Sequence, residues 1–305
     1  MRTSNKNNLL LFVRIALTVI LLAIIIKSVN VSSVLQIILI AKINYLLPAG
    51  FLILIHVFFK SYKWYLLANS IKKNRFIVSA HSYLKKASSL LFYLNHNGKE
   101  IKVPNFKASS IQIKEMAFID RFSEFWAVFF FLLLSGQSLL FKKNGLIITF
   151  IVIVVVILLY QLRNINKALT RFLPFQIVRG AVRTITLPSW PLSNILLLLS
   201  LVSVACYFFE GYLLLNVFSP VSLYAVLIVF PFLYLANLLP FTFNGLGVRE
   251  YLAVLLLKNY GIDANTAVAV SLTLFVLNLL IPFILEKIVS IFSLSHQYAS
   301  TSAPR

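Results

Sequence analysis

The stretch LPFTFNGLGVREYLA, residues 239–253, breaks a long apolar run and decides how the rest of the chain is read. Pro240 has no backbone N–H and breaks a helix interior. Asn244-Gly245 and Gly247 permit tight turns with positive φ. Arg249 and Glu250 follow at once, and then the apolar piece Tyr251–Leu257. A bilayer crossing needs roughly 20 apolar residues, so that piece is too short to span. Non-helical backbone at membrane depth is tolerated only inside protein or beside a watery cavity. The stretch therefore predicts a broken or re-entrant helix near residues 240–258, with an ordinary cytoplasmic turn as the plain alternative. A short helix starting near Val248 offers free N–H groups to an anion, and Arg249 adds charge. Glu250 can satisfy Arg249 or the helix start.

Composition extends this to the whole chain. Of 305 residues, 60% are hydrophobic and 12% charged, and the mean hydropathy is +0.91. Soluble domains carry about 25% charged residues. The fold class is all-α, a polytopic transmembrane helix bundle. There are 28 Lys plus Arg against 8 Asp plus Glu, a net charge of +20. In a membrane protein, cytoplasmic loops and anionic lipid headgroups account for this balance, and nucleic acid is not an expected partner. The lone Cys206 rules out an intrachain disulfide framework. His56, His81, His96 and His296 show no metal-ligand spacing. A phosphate-binding loop and a Gly-x-Ser-x-Gly elbow are both missing. We expect no metal, no cofactor and no enzymatic activity of its own.

Seven apolar stretches read as spans: Leu9–Lys27, Tyr45–Ala68, Phe118–Phe141, Gly145–Gln161, Leu192–Val217, Leu223–Leu239 and Ala264–Leu285. The first reads as a retained span, since no cleavage site follows it. The second fits if Lys60 and Lys63 snorkel to an interface. Gly261 ends the short piece and Asp263 caps the last helix. Residues 1–293 read as one transmembrane domain and 294–305 as a polar tail. Asn69–Ala117 carries nine Lys or Arg and Leu162–Pro191 five, while Ser219–Ser222 has none. That bias puts the N-terminus in the cytoplasm of a cell (inner) membrane protein. Ser88–Leu94 reads as a surface helix or a short membrane hairpin.

Acids are few, so each is informative. In IDRFSEFW, residues 119–126, Asp120 and Glu124 share one helix face beside Arg121. They either start a helix at the cytoplasmic interface or line a headgroup path. Glu210, about 27 Å along a helix from Leu192, sits near the outer interface or faces a cavity or a cationic partner. Lys63-Trp64, after Lys60, reads as an interfacial anchor or as a phosphate contact with Trp64 beside the headgroup.

These residues also carry a resemblance. LPFTFNGLGVREYLAVLLLKNYGI, residues 239–262, followed by NTAVAVSLTLFVLNLL, residues 265–280, resembles the closing motif of the lysylphosphatidylglycerol synthase transmembrane region, or flippase-like, family. Pro240, Gly245, Leu246, Gly247, Val248, Arg249, Glu250 and Gly261 match, and Asn244 stands where a glycine usually sits. KWYLL, residues 63–67, and Asp120-Arg121 are similar to two weaker motifs. The family's first glycine turn is not found between Trp64 and Asp120, so half of a paired gate is altered. The resemblance implies handling of anionic lipids, such as lysyl-phosphatidylglycerol or polyprenyl-phosphate-linked sugars. Asn244, Gly245, Gly247, Arg249 and Glu250 would hold the headgroup, supported by Lys63, Trp64, Asp120, Arg121, Glu124 and Glu210. The implied function is flippase-like translocation. The alternatives are a membrane subunit presenting a lipid-linked substrate to a separate glycosyl- or aminoacyl-transferase, and a scaffold without transport.

Overall fold

The computed structural model describes residues 2–40, 43–88, 106, 108–140, 190–238, 242 and 245–301. Gly145–Gln161, Asn244, Pro240, most of Leu162–Pro191 and all of Ser88–Leu94 except Ser88 lie outside them. Among the described residues the protein is helical, without a strand. We label the helices α1 (Arg2–Ser28), α2 (Val31–Leu39), α3 (Ile43–Ile71), α4 (Phe76–Ser88), α5 (Ser110–Leu140), α6 (Trp190–Phe218), α7 (Leu223–Leu238), α8 (Val248–Leu257) and α9 (Ala264–Thr301). Three stretches are long and apolar enough to cross a membrane: Asn44–Ile71, Pro191–Phe218 and Ala264–Ile291. The bent pair α1–α2, turning by 86°, makes a fourth if it counts as one span. The all-α polytopic bundle is as the sequence predicts.

α3 and α6 form the spine. Their apolar side chains enter two clusters, one around Phe208, Phe230 and Leu233, the other around Ile53, Trp64 and Leu67. Gly211 lets α6 approach α7 closely, since a Cβ there would lie 1.7 Å from the Phe230 ring. α7 ends at Leu238 and α8 starts at Val248, so the broken helix is present. α8 has 10 residues, about 15 Å of helix, half the thickness of a bilayer core.

Three readings of the sequence change. Asn69–Ala117, taken as one basic cytoplasmic segment, contains α4 and the first turns of α5. Ser79, Ala80, His81, Ser82, Tyr83, Leu84 and Lys86 of α4 are buried, so this largely polar stretch is a packed element. The helix expected over Phe118–Phe141 begins at Ser110, which carries Asp120 and Glu124 into its interior. Residues 294–301, read as a polar tail, continue α9.

The joints are fixed by polar caps. Asn30 Oδ1 accepts from Ser33 N at 3.2 Å, and Asn30 N donates to Asn265 Oδ1 at 2.9 Å. Gly261 adopts φ +76° after a 3-10 turn over Lys258–Tyr260. Asp263 Oδ1 accepts from Asn265 N at 2.9 Å and Thr266 N at 3.0 Å, the expected cap. Partial burial disfavours the Asp263 charge, but the bonds from Thr266 and Asn265 outweigh it and hold the carboxyl below its ordinary value. A carboxylate lowered on folding stabilises above its unfolded value, near 3.9, and loses that contribution as pH falls through the folded value. Asp263→Ala should therefore cost about 1 kcal/mol at neutral pH. In unfolding measurements on the purified protein, the gap between variant and parent should shrink below about pH 4. A gap unchanged at low pH would show that the charge is not what caps α9.

Candidate functional site

The site grows from the Asp120–Glu124 pair. Four residues apart on α5, both carboxylates face α3, where Lys60 and Lys63 are three apart. Lys63 is 0% exposed. Its Nζ lies 2.7 Å from Asp120 Oδ1 and 3.0 Å from Glu124 Oε1, and it donates to Ser200 Oγ on α6 at 3.0 Å. Lys60 Nζ takes Glu124 Oε1 at 3.2 Å, and the Tyr234 hydroxyl donates to Glu124 Oε2 at 3.0 Å. Lys86 of α4 reaches Asp120 Oδ2 at 2.8 Å. Five helices are thus joined by one polar knot. The expected snorkelling of Lys60 and Lys63 does not occur, because two carboxylates on a facing helix are better partners than a distant interface. Trp64 is neither an interfacial anchor nor beside the cleft. It is fully buried, with Lys86 Nζ 4.3 Å above its ring.

The turn before α8 makes the second part. Gly245 and Gly247 have φ +77° and +86°, the positive values expected. Glu250 Oε2 accepts from Gly247 N at 2.6 Å. Its Oε1 takes Arg249 Nη2 at 2.6 Å and the Ser271 hydroxyl at 2.9 Å. Glu250 therefore serves the helix start and Arg249 together. Of the N–H groups expected to face an anion at the start of α8, that of Gly247 is taken by Glu250. The glycines also allow close packing. A Cβ on Gly245 would meet Asn237 and Ala236, and one on Gly247 would meet Leu21 of α1 at 2.8 Å. That close packing is not visible in their match to a motif.

Arg249 is 2% exposed. Its guanidinium lies 5.1 Å over the Phe275 ring and borders a cleft of about 120 Å³. The same cleft is bordered by His56, Lys60, Tyr83, Lys86, Asp120, Arg121, Glu124, Tyr207, Tyr234 and Asn278. Two sequence motifs more than a hundred residues apart thus share one cavity. Glu210 is 0% exposed and accepts from Asn278 Nδ2 at 2.6 Å, so it points inward, one residue behind the cleft wall. Sequence reasoning missed Lys86, Tyr83, Tyr207, Tyr234 and His56. The aromatics read as ordinary apolar positions. His56 Nδ1 donates to the Ser203 carbonyl at 2.8 Å, which fixes its tautomer, and nothing in the sequence pairs the two. Among the described residues no three His, Cys, Asp or Glu side chains group as metal ligands.

The region described as Lysylphosphatidylglycerol synthase TM region matches this chain over residues 109–285, more than half of its length. The chain belongs to this family. Comparison with curated proteins gave no match. Membership makes it a multi-pass membrane protein of lipid metabolism, and the three long apolar helices agree. The matched range of the lysylphosphatidylglycerol synthase TM region holds Asp120, Glu124, Glu210, Arg249 and Glu250. Lys60, Lys63 and Lys86 precede it, so two of the cations bordering the cleft, and Lys63 behind them, come from α3 and α4, outside the family match.

Proposed function

We propose that this chain is a flippase-like membrane protein without chemistry of its own. It binds an anionic lipid headgroup in the cleft and helps pass it between leaflets of the cell (inner) membrane, with its N-terminus in the cytoplasm. One observation carries the reading, the charge of the cleft and its wall. Apart from Arg121, the cleft is bordered by Lys60, Lys86 and Arg249 against Asp120 and Glu124. Surplus positive charge in a low-dielectric interior is costly until a counter-anion joins it. Phosphate is the anion that lipids supply, and a guanidinium binds it in a two-pronged way. Glu250 holds Arg249 when the cleft lacks lipid and competes with phosphate for it. Short helices whose ends meet at a substrate recur in transporters.

A second reading keeps the cleft but replaces passage by presentation to a separate glycosyl- or aminoacyl-transferase. It is favoured by the sequence between Trp64 and Asp120, where the family's first glycine turn is not found.

Arg249→Gln tests the first reading. Gln removes the charge and keeps a polar end, and Glu250 keeps Gly247 N and Ser271 as donors. Retention of phosphatidylglycerol in native mass spectrometry should fall at least about tenfold, beyond the ~1 kcal/mol of a surface basic residue. Phosphatidylcholine retention should not change. Translocation of labelled phosphatidylglycerol in liposomes should fall in parallel. Binding and translocation equal to the parent would reject the proposed site. Binding without translocation by the parent protein would leave presentation as the function.

A further inference from the structure

We infer that Lys86 is a second headgroup-binding residue, which exchanges its Asp120 partner for the phosphate of an anionic lipid. The inference rests on the cleft reading above and adds a residue that neither the family match nor the sequence motifs include.

Lys86 stands on the last turn of α4 and borders the cleft. Its partner does not depend on it. Asp120 has a second cation, Lys63 Nζ at 2.7 Å, which is not among the residues bordering the cleft. With Lys86 withdrawn, Asp120 stays neutralised, so the knot survives the exchange. Lys63 is thus the structural cation of the knot, and Lys86 is the surplus one facing the cavity. Its position is set without Asp120 as well, because the ammonium lies over the Trp64 ring and 5.9 Å from that of Tyr83. An aromatic platform holds a cation in place while its counter-ion changes.

Two short helices, α4 and α8, each bring to the cleft a cation guarded by a carboxylate, Lys86 by Asp120 and Arg249 by Glu250. A lipid phosphate has oxygens enough for both.

The test uses the full chain in detergent, with phosphatidylglycerol, phosphatidylcholine and inorganic phosphate as separate probes in native mass spectrometry. Lys86→Met keeps the stem over Trp64 and removes the charge. Lys86→Gln and Lys86→Arg are measured beside it, with Arg249→Gln as reference. Lys86→Met and Lys86→Gln should retain phosphatidylglycerol about tenfold less than the parent. Lys86→Arg should stay within about twofold, and phosphatidylcholine should not change. Phosphatidylglycerol retention by Lys86→Met equal to the parent, with Arg249→Gln impaired, would overturn the inference and leave the cleft reading standing. Parent-like retention by both variants would overturn both. Displacement of phosphatidylglycerol by inorganic phosphate, with Lys86→Met altering phosphate binding alone, would assign Lys86 to a free anion and overturn the lipid claim. Loss of folded protein in all three variants, Lys86→Arg included, would make Lys86 a purely structural ion-pair partner and overturn the proposal.

Discussion

Lys63→Met should lower stability by about 3 kcal/mol, which is roughly 6 to 12 °C in the thermal midpoint of a protein of this size. The side chain is 0% exposed and sits between two carboxylates and the Ser200 hydroxyl. Removing one partner of a buried ion pair costs about 3–5 kcal/mol, because the charge left behind has lost both water and counter-ion. The lower end applies here. Asp120 keeps Lys86 at 2.8 Å, and Glu124 keeps Lys60 at 3.2 Å. The loss should grow when Lys86→Met is added, since Asp120 then has neither cation. Thermal unfolding of the purified single and double variants in detergent measures both terms. A drop under about 2 °C for Lys63→Met would mean that Lys63 reaches solvent, as the sequence first implied.

Gly247→Val should have a comparable or larger effect, about 2–6 kcal/mol, from two separate causes. The backbone there has φ +86°. A β-branched residue resists that region, at about 1–3 kcal/mol. A side chain also collides with Leu21, whose Cβ lies 2.8 Å from the position a Cβ on Gly247 would take. Overpacking of that kind adds about 1–3 kcal/mol. The causes can be separated. Gly261 has φ +76° and nothing within 4 Å of a Cβ, so Gly261→Ala should show backbone strain alone. Gly247→Ala should exceed it, and Leu21→Ala in the same chain should recover the difference. If the effects of Gly247→Ala and Leu21→Ala simply add, α1 does not clamp the turn and the packing half of the argument is wrong.

Both effects show how sequence and tertiary structure divide the information in this protein. Periodicity and composition were enough for the class and for α3, α6, α7 and α9, because a span of roughly 20 apolar residues has few other uses. Local chemistry was enough for the joints. Positive φ at Gly245, Gly247 and Gly261 and the cap at Asp263 depend on residues within a turn of one another. The shared face of Asp120 and Glu124 and the inward aim of Glu210 were legible for a similar reason, since a carboxylate facing lipid is too costly to keep.

Long-range pairing decided the rest. Nothing local distinguishes a lysine that snorkels from one that turns inward. Lys63 turns inward because α5 brings two carboxylates to it from some 60 residues away. α4 is too short and too polar to read as a span, since its buried face mixes Ala80, Tyr83 and Leu84 with serine, histidine and lysine. Lys86 counted only as loop charge until Asp120 and Trp64 stood beside it. That Glu250 takes the Gly247 N–H at the start of α8 was one of two options the sequence left open. The motif around Arg249 and the pair on α5 were each visible alone. That they border one cleft follows only from how seven helices pack, because burial allows an ion where distant elements supply its partner.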